Sequence, residues 1–208
     1  MNGPRGRSSW HAPAGACERG MAEDPFALLE DAGAACDEAG IAYAVIGAVA
    51  RNAWAPPRAT ADLDLAAIIP DQVTSERLVT ALARRGIAVV QVAGNDAEPV
   101  PDLIRLERPA GVVRRLDILV AKTPFEVEAV TNAATFDLGG PRRVVTPEHL
   151  VVYKLIAGRP QDLEDAVEVL RTRALAGSPV PEAMLRGWAR EWDIVERLED
   201  VLRRSRPA

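Results

Sequence analysis

Residues 58 to 69 read Arg-Ala-Thr-Ala-Asp-Leu-Asp-Leu-Ala-Ala-Ile-Ile, and no other stretch limits the folds open to this chain as much. From Ala61 to Ile69 its composition is that of a β-strand, which Pro70 breaks. The two-residue period of a strand puts Asp62 and Asp64 on one face and Ala61, Leu63 and Leu65 on the other. Two carboxylates held about 4 Å apart repel by roughly 4 kcal/mol at an effective dielectric near 20. A strand that keeps them together calls for a cation, and a hard, oxygen-preferring ion such as Mg²⁺ (or Mn²⁺) would answer.

The surrounding punctuation supplies the rest of the architecture. Phe26, Leu28, Leu29, Ala32, Ala35 and Cys36 recur at helical spacing over 24–39, and Gly40 supplies the stop. A buried strand is expected over 43–46. Gly47 ends it and opens a short helix over 48–54, which Pro56 and Pro57 terminate. Asp71 starts an amphipathic helix through Leu78, Leu82 and Ala83 that Gly86 closes. Strands are expected over 87–92, 103–108 and 112–120, the last two joined by the Pro-Ala-Gly turn at 109–111. Helices over 124–130, 147–157, 160–175, 182–191 and 194–204 follow, with a brief strand near Val144. The expected fold class is α+β, a small mixed sheet flanked by helices with a helical C-terminal part. Residues 1–20 lack periodicity and read as a flexible arm, with Met21 a candidate start; 21–145 form the core and 146–208 the helical region.

Composition removes several chemistries. With 208 residues the chain can bury a core without disulfides, and no apolar run is long enough to span a membrane. A cytoplasmic protein is expected. Lys and Arg number 25 against 30 Asp and Glu, a net charge of -5 that lacks the basic excess of a dedicated nucleic-acid binder. Cys17, Cys36, His11 and His149 offer no zinc-site spacing, and no serine sits in a Gly-x-Ser-x-Gly setting. Carboxylates are the remaining chemical resource. Asp117 is a solitary acid in the apolar run Arg115-Leu116-Asp117-Ile118-Leu119-Val120, where an unpartnered carboxylate is costly. Asp62, Asp64 and Asp117 on neighbouring strands would form a cage for one or two divalent ions.

Gly47 after a strand, then Arg58-Ala-Thr-x-Asp62-Leu-Asp64, then Leu116-Asp117, resembles the nucleotidyltransferase superfamily typified by DNA polymerase beta. The segment from Thr146 to Asp165, with Lys154 and the downstream Asp162 and Asp165, is similar to the AbiEii toxin-like branch. The resemblance implies a nucleotidyltransferase fold, with the acids at one edge of the sheet. It also implies Mg²⁺-dependent transfer of a nucleoside monophosphate from an NTP to an acceptor hydroxyl on tRNA, protein or a small molecule. By it, Asp62, Asp64 and Asp117 are catalytic and metal-binding, with Asp117 also a candidate base. Gly47 and the Ala48 N–H would meet a phosphate, Arg58 and Lys154 the triphosphate, and Asp162 or Asp165 would support the site. Ala48 departs from the family, which has a second Gly or a Ser there. The AbiEii likeness implies a toxin with a cognate antitoxin.

Other roles compete. A catalytically silent module of the same fold, binding a nucleotide or a partner protein, is the alternative that Ala48 favours. A metal-dependent phosphoesterase using the same acids is a weaker one. Asp162 and Asp165 would also suit a helix N-terminus through the dipole, and Lys154 could be an exposed helical lysine. Yet lysine occurs only at 122 and 154 in a chain with 23 arginines, so a compact ammonium at 154 is expected to matter. His149 and the tryptophans 54, 188 and 192 read as structural.

Overall fold

The computed structural model describes residues 26–60, 62–94, 100, 102–109, 111–138 and 140–206. The N-terminal arm, the start of the first helix, Ala61 and the middle of the 109–111 turn lie outside the described residues.

The order is α1 (Ala27–Ala39), β1 (Ala42–Val45), α2 (Gly47–Trp54), β2 (Leu63–Ile68), α3 (Gln72–Arg84), β3 (Ala88–Ala93), β4 (Leu103–Glu107), β5 (Arg115–Val120), α4 (Pro124–Thr131), β6 (Ala134–Asp137), β7 (Pro141–Val144), α5 (Pro147–Ala157), α6 (Pro160–Leu175), α7 (Glu182–Glu191) and α8 (Val195–Ser205). The strands form one mixed sheet in the order β3-β4-β5-β2-β1-β7-β6. The pairs β2–β5 and β1–β7 are parallel and the others antiparallel.

Local chemistry explains most of the boundaries. Gly40 ends α1 in the left-handed conformation, φ +73°, its N–H donating to the Asp37 carbonyl. The Asp71 carboxylate accepts from the Thr74 N–H at 2.7 Å and so caps α3. Thr123 and Glu126 form a reciprocal capping box at the head of α4. Thr146 stands at the cap position of α5, but its hydroxyl meets His149 Nδ1 at 2.8 Å instead of a backbone N–H. His149 is buried, its Nε2 3.2 Å from Glu128 Oε1, so it ties α5 to α4 as a structural residue.

The sheet has two unlike faces. Leu65, Ile118 and Ile104 are register neighbours across β2, β5 and β4, and all are buried. They share their face with Tyr43, whose ring lies against Gly33 of α1. The other face carries Asp64, Asp117, Arg105 and Gln91, register neighbours across β2, β5, β4 and β3. This placement corrects the expectation of acids at an edge. β2 is the fourth of seven strands and β5 lies beside it, so the acids sit at the middle of the sheet. Strand β6 was not anticipated; it pairs with β7 as a hairpin at the sheet margin. β5 begins at Arg115, three residues later than expected, and Val112 is exposed.

Candidate active site

The site is built where β1 turns into α2. Gly47 opens α2 with φ +65°, a left-handed conformation that L side chains rarely adopt. A Cβ on Gly47 would overlap the Asp64 carboxylate, lying 2.9 Å from its Cγ. Only a glycine leaves room there. The Ile46 N–H donates to the Asp64 carbonyl at 3.0 Å, so backbone pairing fixes Asp64 against the head of the helix. No side chain caps α2, and Ala48 follows Gly47 in its first turn.

On β2 Leu63 and Leu65 are buried and Asp64 between them is half-buried, but the strand begins at Leu63, two residues later than expected, so Asp62, which is exposed, lies just before it and not on its face. Asp64 and Asp117 are direct register partners on the parallel strands β2 and β5. Burial, and next the negative charges of Asp117 and Asp62, push the Asp64 carboxyl above its ordinary range, partly offset by Lys154 and Arg159. A raised folded-state value means that stability from this group is complete below the unfolded value of 3.8 and is lost as pH rises through the folded one. Asp64→Asn is therefore expected to melt above the wild type at pH 7, with the gap closing below about pH 4; thermal melts across that range check it.

Asp117 does not stand free beside Asp64. Arg105 Nε and Nη2 donate to its Oδ1 and Oδ2, both at 2.7 Å, in a two-pronged ion pair. The third carboxylate already has an internal cation. Among the described residues no group of three His, Cys, Asp or Glu side chains gathers as an ion site. The donor set still suits a hard divalent ion in its chemistry. Asp64 is a carboxylate kept among like charges, wedged where a Cβ cannot go, with Asp117 next to it.

The cationic residues gather at the α5–α6 corner around two buried aspartates. Lys154 is 6% exposed, so it is no surface lysine; its Nζ donates to Asp162 Oδ1 and Asp165 Oδ2, each at 2.9 Å. Both aspartates are 2% exposed. Arg58 grips Asp165 with Nε at 3.1 Å and Nη2 at 2.9 Å, and Arg159 Nε donates to Asp162 Oδ2 at 2.5 Å. Arg51, which the sequence did not single out, is buried with its Nε 3.4 Å from Asp165 Oδ1, and its Nη1 donates to the Pro56 carbonyl. Burial opposes ionisation of Asp162 and Asp165. The hydrogen bonds from Arg159 and Lys154 to the first, and from Arg58 and Lys154 to the second, outweigh it and hold both carboxyls below the usual range.

Four cations thus surround two carboxylates, and the surplus positive charge is near enough to pull on Asp64. Lys154 and Arg58, expected at a triphosphate, spend their hydrogen bonds on Asp162 and Asp165, and the Arg159 side chain is the most open of the group at 77% exposed.

The order of elements and the acid-bearing central strands define the class: this is a nucleotidyltransferase fold. The solution structure of the antibiotic-resistance factor ANT(2'')-Ia is similar over 83% of this chain and 95% of that one, with a TM-score of 0.52 at 16% identity. A crystal structure of ANT(2'')-Ia in complex with adenylyl-2''-tobramycin is similar over 79% and 97%, with a TM-score of 0.51 at 16% identity. An antigenic nucleotidyltransferase-like protein from Paracoccidioides brasiliensis is 19% identical over 85% of this chain and 90% of that one, with a TM-score of 0.48. At such identities the likeness is one of fold. No protein-family model matches the chain, and no curated protein does. No helix among the described residues is long and apolar enough to cross a membrane.

Proposed function

We propose that the chain transfers a nucleoside monophosphate from an NTP to an acceptor hydroxyl. The observation that carries this is Asp64, lodged against the glycine that heads α2 and next to Asp117 on the adjoining strand. In the reaction the acceptor oxygen bonds to the α-phosphorus, the bond to the bridging oxygen breaks, and pyrophosphate leaves. The acceptor proton passes to a carboxylate, for which Asp117 is the candidate. Asp62 and Asp64 would hold Mg²⁺ or Mn²⁺, which when bound neutralises phosphate charge and orients the phosphates for in-line attack. Gly47 lets a phosphate approach the backbone, with the Ala48 N–H as donor. Arg159 and the rim built on Lys154, Arg58, Asp162 and Asp165 supply fixed positive potential toward the leaving pyrophosphate. Positioning and charge neutralisation do most of the work that this chemistry asks of a protein.

The acceptor class we favour is a small hydroxylated compound. The net charge of -5 weakly disfavours extended contact with a polynucleotide, and tRNA or protein hydroxyls are the competing acceptors. The similarity of residues 146–165 to the AbiEii branch supports a role as the toxin of a toxin-antitoxin pair, with a protein antitoxin as partner. A cytoplasmic setting follows from either role. The silent-module alternative gains weight from the Arg105–Asp117 pair, which occupies the third acid.

A screen of the four labelled NTPs with Mg²⁺ against aminoglycoside, tRNA and protein acceptors tests the enzymatic reading. Label transfer with pyrophosphate release is expected, and Asp62→Ala and Asp64→Ala should abolish it. If wild type and variants behave alike, the silent module stands instead.

A further inference from the structure

Gln91, Arg105, Asp117 and Asp64 form one row across β3, β4, β5 and β2, each the register partner of the next. Cross-strand partners lie side by side on the same face, so the row places a guanidinium between an amide and the two central acids. Arg105 Nε and Nη2 each reach a different oxygen of Asp117 at 2.7 Å, and its Nη1 donates to Gln91 Oε1 at 2.8 Å. The fork is therefore aimed from both sides. The pair is half-buried, and the carboxylate it engages is the register partner of Asp64. Its position is explained by what it does to Asp117.

We infer that Arg105 is a positioning residue that acts as a displaceable internal counter-ion: it occupies both oxygens of Asp117 and must yield at least one before Asp117 can join Asp64 on a divalent cation. This rests on the nucleotidyltransferase reading and adds to it a cost on cation binding set by one arginine. A divalent ion and the guanidinium compete for the same lone pairs, so whatever stabilises the Arg105–Asp117 pair weakens the ion's hold by the same factor. The Asp64 carboxylate has no hydrogen bond or ion pair from a side chain among the described residues, so it offers the ion its first foothold. The empty-handed protein thereby avoids two unpaired carboxylates side by side on adjoining strands.

Mn²⁺ binding to the full chain, followed by electron paramagnetic resonance of the free ion and without nucleotide, tests this. Arg105→Met should tighten Mn²⁺ binding about fivefold or more. The gain should vanish in an Asp117→Asn background, where there is no carboxylate to release. Arg105→Lys, which keeps the charge but not the fork, should fall between wild type and Arg105→Met, and it serves as the test if circular dichroism shows Arg105→Met to be unfolded. Unchanged or weaker binding in Arg105→Met overturns the inference. So does equal tightening with and without Asp117, which would mark a general field effect. Wild type that binds Mn²⁺ while the Arg105 variants match it defeats the counter-ion role alone; failure of every protein to bind defeats the metal-dependent reading as well.

Discussion

Asp165→Ala is expected to destabilise the chain by about 3–5 kcal/mol, because it removes the shared acceptor of a buried charge cluster and leaves cations without partners. Asp165 takes hydrogen bonds from Lys154 Nζ at 2.9 Å and from two atoms of Arg58, and it lies 3.4 Å from Arg51 Nε. Lys154 would retain Asp162, but Arg51, itself buried, would lose its carboxylate. Urea unfolding at pH 7 measures the effect. The pH dependence has a definite sign. The folded-state value of Asp165 is lowered, so its contribution is complete above the unfolded value of 3.8 and disappears as pH falls through the folded one. The gap between wild type and variant should therefore narrow only in acid, below about pH 4. Replacing Lys154 and Asp165 together by Met and Leu should not recover the loss, since Arg51 and Arg58 still lack their carboxylate and Asp162 gives up Lys154.

Gly47→Ala is expected to damage stability and the site at once. The left-handed backbone at φ +65° costs an alanine about 1–2 kcal/mol before any contact is counted. The added methyl would also overlap the Asp64 carboxylate, and the carboxylate would have to turn out of its place. Nucleotidyl transfer should fall by about two orders of magnitude or more, the scale on which a catalytic group moved by an ångström loses rate. The two parts can be separated. In an Asp64→Ala background the carboxylate overlap is absent and only a 3.1 Å contact with Cβ remains, so Gly47→Ala should cost less there than in the wild type. Equal costs in both backgrounds would show that the backbone conformation alone accounts for the glycine.

These expectations depend on features that differ in how visible they were in the sequence. The strand–glycine–helix turn and the Leu63–Asp64–Leu65 alternation were legible because both are local, a two-residue period and a glycine stop needing no distant partner, whereas the strand's start at Leu63, which leaves Asp62 outside it, was not. The rarity of lysine marked Lys154, and its burial between two aspartates gives a physical reason for that residue at that point. Arg51 and Arg105 were invisible for the converse reason. Among 23 arginines no single one stands out, and only strand register sets Arg105 opposite Asp117. Strand order was likewise hidden, which is why the acids were placed at an edge. Strand β6, four residues of mixed character, has no pattern apart from its pairing with β7. Asp162 and Asp165 looked equally suited to a helix dipole, and their partners come from α2, α5, the segment around Arg58 and Arg159 at the cap of α6.

Arg197 of α8 crosses to the far end of α5, where its Nη1 donates to the Leu155 carbonyl at 2.9 Å and the Ile156 carbonyl at 3.3 Å. Gly158 is kept bare beside it, since a Cβ there would lie 2.5 Å from that nitrogen. The next residue is Arg159, and three further on is Asp162. The last helix is in this way bolted to the turn that carries Arg159, so a pull on α8 would reach the Arg159–Asp162 pair through helices alone, with no strand in between.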